Sequence, residues 1–431
     1  MAIALKDTQH PLELRTNRQR GFTLLELIIV VAILAILALV TVLALNPGEL
    51  FSRTRDARRL ADLRALFGAI QIAFSEDVDL DGPLTDSCVG ESAPRVFISI
   101  PDSETPPSAP EGWSFQQVGA ADLGRINGTG WVPVNLTAVP GGSPLATIPI
   151  DPVNDFSQGL YYTYTCSRNN GFALSANLLE SARYTRGGDQ DRTSTDGGRD
   201  PDMFELATDF DINPMAPALY WALDEGSGTI AKDSSRNSLD GTLFNNPVWQ
   251  PSANCKAGAC LLFTNSNGVT ISDPGVFPLD LTRGVTVALW VRGSGPTWPQ
   301  FFWEGMMGKR NGVICNYGIN ISGSAQLQWY FCNAGFQIVD IPASDISSDQ
   351  WHYIVGTFYD TGDVEGNLYI DGTLQKTETF PAIDLLIDDN GLTLGATLPV
   401  GEYLDGSIDD FRIYSRALLP AEISARYKAF R

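Results

Sequence analysis

The sequence predicts a multidomain α+β protein: a long N-terminal helix, a small β head, and then an all-β antiparallel sandwich of the jelly-roll type. Three observations predict this fold class. Residues 27–45 are apolar apart from Thr41, residues 77–206 contain short alternating runs rich in Pro and Gly, and residues 218–428 contain short strands with frequent turns. We therefore expect five parts: residues 1–21, 22–76, 77–206, a linker at 207–217, and 218–431.

Composition and charge limit the classes of partner. The chain has 431 residues, of which 44% are hydrophobic, so it can build several cores. Its formal net charge is −21, and the acidic excess lies in residues 77–431. Nucleic-acid binding depends on phosphate contacts from a basic face, which such a chain lacks. We therefore exclude nucleic acid as a partner.

The cysteines suggest disulfides. Only two histidines and no C-x-x-C motif occur, which argues against a zinc site. Disulfides indicate an oxidising compartment outside the cytoplasm, and the alternative is buried free thiols in a cytosolic protein. Three local pairings are open to the six cysteines: Cys88 with Cys166, Cys255 with Cys260, and Cys315 with Cys332.

The apolar segment near the N-terminus is long enough to span a bilayer, which takes about 20 helical residues. Four basic residues among residues 1–20 predict that the preceding stretch stays in the cytoplasm. An ordinary signal peptide would have a small-residue cleavage site after the apolar run, and none of the A-x-A type is there. The one processing-like junction, Gly21-Phe22, precedes the run.

The stretch GFTLLELIIV, residues 21–30, resembles the class III leader of type IV pilins and type II secretion pseudopilins. The resemblance implies that a prepilin peptidase cuts after Gly21 and methylates the new N-terminal residue, Phe22. It also places Glu26 at the fifth mature position, where this family has a glutamate. The alternative is a plain signal anchor with a chance glutamate near its cytoplasmic end.

The position of Glu26 has an electrostatic explanation. A carboxylate inside a bilayer costs a few kcal/mol, so it needs a partner or a function. Cleavage creates an α-amino group on Phe22, and in a stack of such helices this cation can meet Glu26 of a neighbouring subunit. We therefore expect other pilin subunits, in a helical filament, as partners. The protein would lie in the inner (cytoplasmic) membrane before assembly and in an extracellular filament or on the cell surface afterwards.

The helix continues beyond the apolar segment with two features. Pro47 is expected to kink it, because proline lacks an N–H and crowds the preceding turn. An apolar stripe from Leu60 to Phe74 then recurs at helical spacing, which a globular head can cover. The charged residues from Arg53 to Arg59 are expected on a solvated face, with a subunit contact as the alternative.

An acidic loop lies within the part that is similar to a pseudopilin head, which extends to about Leu206. This loop, GGDQDRTSTDGGRDPD, falls where related pseudopilins hold calcium. The resemblance makes Asp189, Asp191 and Asp196 candidate ligands, because carboxylate oxygens suit this hard cation. A loop without a metal ion is the alternative.

The C-terminal half resembles the laminin-G-like jelly-roll domains of the concanavalin A-like superfamily. The stretches that carry the resemblance occur in the expected order: GVTVALWVRG, WHYIVGTFYD, NLYIDGTLQ and LDGSIDDFRIYSRALLPAEISARY. By analogy with loops of such domains, four residues are candidate calcium ligands: Asp233, Asn237, Asp240 and Asp409. No other cofactor is indicated.

We expect this domain to bind rather than to catalyse. Retaining glucanases of the fold use two carboxylates about 5 Å apart, in an E-x-D-x-x-E strand. No Glu here is followed two positions later by an acidic residue, and His352 occupies a WHY strand where the family has a structural histidine. The aromatic-rich loop GPTWPQFFWEG instead offers rings that could stack on a sugar, namely Trp298, Phe301, Phe302 and Trp303. The alternative is that these rings pack against the sandwich edge or the head.

The sequence thus predicts a pilin or pseudopilin subunit that assembles through its N-terminal helix and displays a domain for adhesion to a glycan or a surface protein. The main alternative is a structural or secretion pseudopilin whose extra domain caps or spaces the filament and binds nothing. A weaker alternative is a membrane-anchored, glycan-active enzyme.

Overall fold

The computed structural model describes residues 22–83, 86–106, 108–167, 171–264, 266–271, 278–295, 298, 303–311, 314–332, 335–360, 362–381, 385, 391–398 and 401–430. Contacts divide the chain into two compact units, Met1–Phe51 and Ser52–Arg431. The α-helices are α1 (Leu24–Leu45), α2 (Pro47–Ser75) and α3 (Pro420–Ala429). Short 3₁₀ helices are formed by Leu136–Ala138, Phe210–Ile212, Ser252–Asn254 and Ala343–Asp345.

The predicted interruption at Pro47 is present. Helix α1 ends at Leu45, and Asn46 adopts a left-handed conformation with φ of 40°. Helix α2 begins at Pro47, a position where the fixed φ of proline suits a helix start and its missing N–H would have no partner. Residues 22–76 therefore form two helices rather than one.

The head is a five-stranded sheet packed on α2. In chain order its strands are β1 (Arg95–Ile98), β2 (Ser114–Gln116), β3 (Tyr162–Ser167), β4 (Gly171–Ala176) and β5 (Phe204–Ala207). They lie in the order β2-β1-β3-β4-β5. The apolar stripe of α2, including Leu63, Leu66 and Ile70, is buried in one core with Phe97 and Phe172. The head therefore covers α2 as the stripe predicts.

The charged segment of α2 differs from the expectation of a solvated face. Asp56 and Arg59 are fully buried. Arg59 donates hydrogen bonds to Asp151 and Asp56, each at 2.6 Å, and the backbone N–H of Ser181 donates to Asp56 at 2.7 Å. The solvated-face prediction is wrong for these two residues, because the segment around Glu180 closes over this side of the helix.

The C-terminal half is a sandwich of two eight-stranded sheets with an additional two-stranded hairpin, β21-β22. We call them the β12 sheet (β19-β18-β17-β12-β23-β10-β9, with β6 paired to β23) and the β14 sheet (β16-β15-β14-β13-β20-β11-β8-β7). The strands are β6 (Leu219–Trp221), β7 (Ile230–Ala231), β8 (Gly241–Phe244), β9 (Val248–Gln250), β10 (Cys260–Phe263), β11 (Gly268–Ile271), β12 (Gly284–Gly293), β13 (Glu304–Asn311), β14 (Ile314–Ile321), β15 (Gln326–Cys332), β16 (Phe336–Pro342), β17 (His352–Asp360), β18 (Val364–Ile370), β19 (Thr373–Phe380), β20 (Leu392–Leu394), β21 (Ala396–Thr397), β22 (Glu402–Tyr403) and β23 (Gly406–Tyr414).

Alternation along β12 separates the two faces of its sheet. Val287 and Leu289 enter the core between the sheets, where they join Ile319 and Trp329 of the β14 sheet. Trp290 points to the outer face and joins an aromatic cluster beneath α3. This confirms the predicted jelly-roll sandwich. All three cysteine pairings are also present: Cys88–Cys166, Cys255–Cys260 and Cys315–Cys332.

Residues 207–217, predicted to be a linker, are largely buried. Ile212, Asn213 and Met215 are almost inaccessible to solvent. Met215 packs in a small core that contains Phe156 from the head and Leu419 from the C-terminal half. The two prolines and the lack of periodicity therefore mark a tightly packed connection and not a flexible spacer.

A buried charge network joins the head to the jelly roll. Asp200 accepts a hydrogen bond from Arg426 of α3 at 2.7 Å, and Asp202 pairs with Arg412 of β23. Arg186 of the head donates to Asp410 of β23 at 2.7 Å. Burial acts to raise the pKa of Asp200, but Arg426 and Arg412 hold this pKa below its ordinary value. The head and jelly roll consequently form one compact unit.

Candidate functional site

The residues predicted to act in assembly lie at the start of α1, while Gly21 lies outside the described residues. Phe22 is 84% exposed. Thr23 caps α1: its hydroxyl accepts from the N–H of Glu26 at 3.2 Å, and the Glu26 carboxylate accepts from the N–H of Thr23 at 2.9 Å. This reciprocal capping box satisfies two N–H groups that the helix leaves free. In the isolated subunit, the partner of Glu26 is therefore the helix start itself.

Helix α1 presents apolar side chains around its whole circumference. Large hydrophobic residues from Leu24 to Val40 are each about half exposed or more. The segment Leu24–Thr41 is apolar and long enough to cross a membrane, by length and composition. An apolar surface of this size requires a covering, which a bilayer or a stack of similar helices would provide.

The aromatic-rich loop only partly matches its prediction as a ligand surface. Trp298 is 8% exposed, packs in the core of the sandwich and donates from its indole N–H to Glu304 at 2.8 Å. Gly293 makes this burial possible, because a Cβ at that position would lie 2.2 Å from the Trp298 ring. The prediction that Trp298 offers a free stacking surface is therefore wrong. Trp303 is 42% exposed, and Phe301 and Phe302 lie outside the described residues.

The acidic loop of the head is organised by its own N–H groups. Asp191 accepts from the backbone N–H of Gly187 at 2.9 Å and of Thr193 at 3.0 Å. Asp196 accepts from Gly198 and Glu205, each at 2.7 Å, and burial raises the pKa of Asp196 to about 7. Asp189 faces Arg183 at 3.4 Å. These contacts hold the loop in shape.

The four jelly-roll candidates are likewise engaged with protein donors. Asp233 accepts from the backbone N–H of Tyr220 and Leu239, and Asp240 accepts from the N–H of Asp233. Asn237 donates to the carbonyl of Ala218. Asp409 accepts from the N–H of Lys256 and of Ala257, each at 2.9 Å.

The described part of the chain contains no group of three or more His, Cys, Asp or Glu side chains placed to hold a metal ion. Calcium binding therefore stays a prediction.

His352 belongs to a local hydrogen-bond chain. Its Nε2 accepts from the backbone N–H of Ser347 at 3.0 Å, so the proton lies on Nδ1, which donates to Asp371 at 3.0 Å. Burial opposes ionisation of Asp371, but the hydrogen bonds from His352 and Tyr353 lower its pKa below the ordinary value. This arrangement ties the start of β17 to the turn after β18.

Sequence reasoning missed a polar depression on the outer face of the β12 sheet. It contains Arg292, the last side chain of β12 to point away from the core. The signal in the sequence was the alternation along β12. Arg292 follows Ala288 and Trp290 on the side of the strand that faces away from the core, whereas a fully buried sheet face would have an apolar residue at this position.

The described residues thus combine an apolar N-terminal helix with a C-terminal jelly-roll sandwich. Residues 16–42 match the prokaryotic N-terminal methylation motif, and residues 263–424 match a laminin-G family of the concanavalin A-like lectin/glucanases superfamily. The chain thus carries a prepilin-type leader motif and a laminin-G-like domain, and both predicted resemblances are confirmed.

No curated protein matches the chain. Among solved structures, it is similar to domain 4 of AbnA, an extracellular arabinanase from Geobacillus stearothermophilus, in complex with arabinotriose. The identity is 19% over 48% of this chain and 96% of that chain, with a TM-score of 0.37. The binding domain of botulinum neurotoxin serotype D is 13% identical over 49% of this chain and 50% of that chain, with a TM-score of 0.40. The binding domain of Paraclostridial Mosquitocidal Protein 1 is 14% identical over 49% and 51%, with a TM-score of 0.40. The chain spans about half the length of these two toxin domains.

Proposed function

We propose that this protein is a pilin or pseudopilin subunit that is cleaved after Gly21, assembles through α1 and displays its laminin-G-like domain outside the cell for adhesion to a glycan or a surface protein. The observation that carries the proposal is the methylation motif, which extends into an exposed apolar helix that contains Glu26. Cleavage gives Phe22 an α-amino group, and Glu26 is the carboxylate that this cation can reach in a neighbouring subunit. A prepilin peptidase is the processing partner that the motif implies.

The jelly roll supports the adhesive part of the proposal. Its family includes lectins, and Trp303 exposes part of an indole ring that can stack on a sugar. We propose that the domain binds without cleaving its ligand, since the paired-carboxylate strand of the glucanases is missing from the sequence. The rival role, a spacer or cap that binds nothing, is supported by the tight packing of the jelly roll on the head.

Two measurements test the assembly step. Mass spectrometry of protein from membranes should show a chain that begins with N-methylated Phe22, and an intact leader would contradict the proposal. Glu26→Gln should insert into the membrane normally but enter purified filaments at least about tenfold less, because it lacks the charge that pairs with the Phe22 amine. Glu76→Gln, a change at an exposed carboxylate directly after α2, should assemble like the wild type.

The full chain in detergent tests adhesion. We expect it to be retained on a glycan array, with weaker retention of Trp303→Ala and no release of reducing ends from the bound glycan. A blank array, together with normal incorporation into filaments, would favour the spacer role. Release of reducing ends would instead indicate a glycan-active enzyme.

A further inference from the structure

The polar depression on the outer face of the β12 sheet is built on a row of residues from neighbouring strands. Arg292 of β12 pairs directly with Ser407 of β23, and Ser407 pairs with Leu262 of β10. Residues that are directly opposite in a sheet share a face, so these three side chains form one row. On the other side of Arg292 lies Trp351, whose ring centre is 5.1 Å from the guanidinium carbon. The row is therefore positioned by rigid strands rather than by a loop.

Two loops and an edge strand border this row. The turn Gly293–Gly295 follows β12, Asp349 precedes β17, and Gln250 closes the edge strand β9. The cavity holds about 270 Å³, which is the scale of a single sugar residue and not of a chain segment. Its polar groups are an amide, a carboxylate, serine hydroxyls and a guanidinium. Such a mixture, with few apolar contacts, suits a hydroxyl-rich ligand.

Arg292 differs from the four arginines that are fully buried in the described part of the chain. Arg59, Arg412, Arg416 and Arg426 all form ion pairs with buried carboxylates. Arg292 stacks on Trp351 instead, and no carboxylate of the described residues forms an ion pair with it. Stacking fixes the plane of the guanidinium and leaves its N–H groups available. A planar fork of this kind pairs with a carboxylate through two parallel hydrogen bonds.

We propose that this cavity binds a uronic acid residue of a glycan, with the sugar carboxylate on Arg292 and the ring hydroxyls on Ser407, Gln250 and Asp349. The inference rests on the proposed glycan-binding function and specifies its site and ligand class. Asp349 at the mouth accepts hydrogen bonds from sugar hydroxyls. The acidic surface of the chain does not prevent binding, because salt screens exposed charges beyond about 10 Å.

Titration calorimetry of the full chain in detergent tests the proposal with three probes: methyl glucuronide, methyl glucoside and glucose 6-sulfate. We expect the glucuronide to bind at least about tenfold more tightly than the glucoside and more tightly than the sulfate. Arg292→Gln should reduce glucuronide affinity to that of the glucoside. Arg125→Gln, which removes an exposed positive charge from the head, should leave all three affinities unchanged.

Each other outcome has a definite meaning. If the glucoside or the sulfate binds as tightly as the glucuronide, or if Arg292→Gln keeps the preference while retaining the wild-type melting temperature, the uronic acid site is overturned. Retention of the wild-type chain on neutral glycans would then leave the proposed glycan binding in place. If neither the probes nor any glycan on the array is bound, the uronic acid site and the proposed glycan binding both fail, while the proposed assembly through α1 is tested separately.

Discussion

Asp409 illustrates how burial shifts the pKa of a single carboxyl group. Burial raises the pKa of its carboxyl to about 8, and the neighbouring Asp410 and Asp224 act in the same direction. The N–H groups of Ala257 and Lys256 oppose this shift but do not cancel it. An aspartate in the unfolded chain titrates near 3.8. The folded protein therefore binds a proton at Asp409 across a pH range in which the unfolded chain has released it.

We predict that Asp409→Asn flattens part of the pH dependence of stability. Between about pH 4 and pH 8 the native state holds one more proton at this site, so this group makes the wild type less stable as the pH rises. Asparagine has no such proton, so the variant should gain melting temperature relative to the wild type from pH 5 to pH 8. Thermal unfolding at pH 5, 6.5 and 8 measures the difference, and Asp345→Asn at an exposed position is the control. Parallel pH profiles of Asp409→Asn and the wild type would contradict the prediction.

Helix α2 is attached to the head by charge as well as by apolar packing. Arg59 satisfies two fully buried carboxylates, Asp56 and Asp151, and also reaches Glu180 at 2.6 Å. The next residue towards the N-terminus, Arg58, is 62% exposed and pairs with Asp62 at 3.4 Å. The two adjacent arginines therefore allow a buried ion pair to be compared with an exposed ion pair on the same helix.

We predict that Arg59→Met destabilises the protein by about 3–5 kcal/mol, because it leaves Asp56 and Asp151 buried without their cation. Arg58→Met should cost less than about 1 kcal/mol, since an exposed pair contributes little. Urea denaturation of both variants, followed by tyrosine and tryptophan fluorescence, provides the comparison. Equal losses in the two variants would show that Arg59 does not anchor the helix.

At the scale of the whole molecule, the head and the jelly roll share cores and ion pairs. Glu111 of the head accepts from the backbone N–H of Thr282 at 3.1 Å and of Arg283 at 2.9 Å, in addition to the Asp200 and Asp202 network. Domains that meet only at small polar surfaces usually move independently. Here a buried connection, a shared apolar core and a charge network hold them together.

We predict that the unit Ser52–Arg431 unfolds in one cooperative transition when the full chain is heated in a calorimeter. Asp200→Ala should lower its stability by about 3–5 kcal/mol or split the transition, because Arg426 and Arg412 lose a buried partner. Asp211→Ala, at an exposed pair with Arg199 in the same segment, should change stability by less than about 1 kcal/mol. Two separate transitions in the wild type would contradict a shared unit.

Local patterns in the sequence predicted much of this architecture. The apolar run, the stripe on α2, the strand alternation and the two close cysteine pairs, Cys255–Cys260 and Cys315–Cys332, all reflect neighbours in sequence, so they can be identified without coordinates. The buried charges could not, because Arg59 and Asp151 are 92 residues apart and Asp200 and Arg426 are 226 apart. Trp298 shows the same limit: whether a loop aromatic is a surface or a core residue depends on the space that Gly293 leaves.

The buried connection at residues 207–217 has a mechanical consequence. If the proposed adhesion takes place, a pull on the ligand would pass through Met215, Asp200 and Glu111 into the head, and from the head through Arg59 into α2. The residues along this path belong to folded, packed elements. In a filament, the reach of each jelly roll would be set by the size of a rigid folded unit, and tension on the ligand would be transmitted to the subunit without first extending a tether.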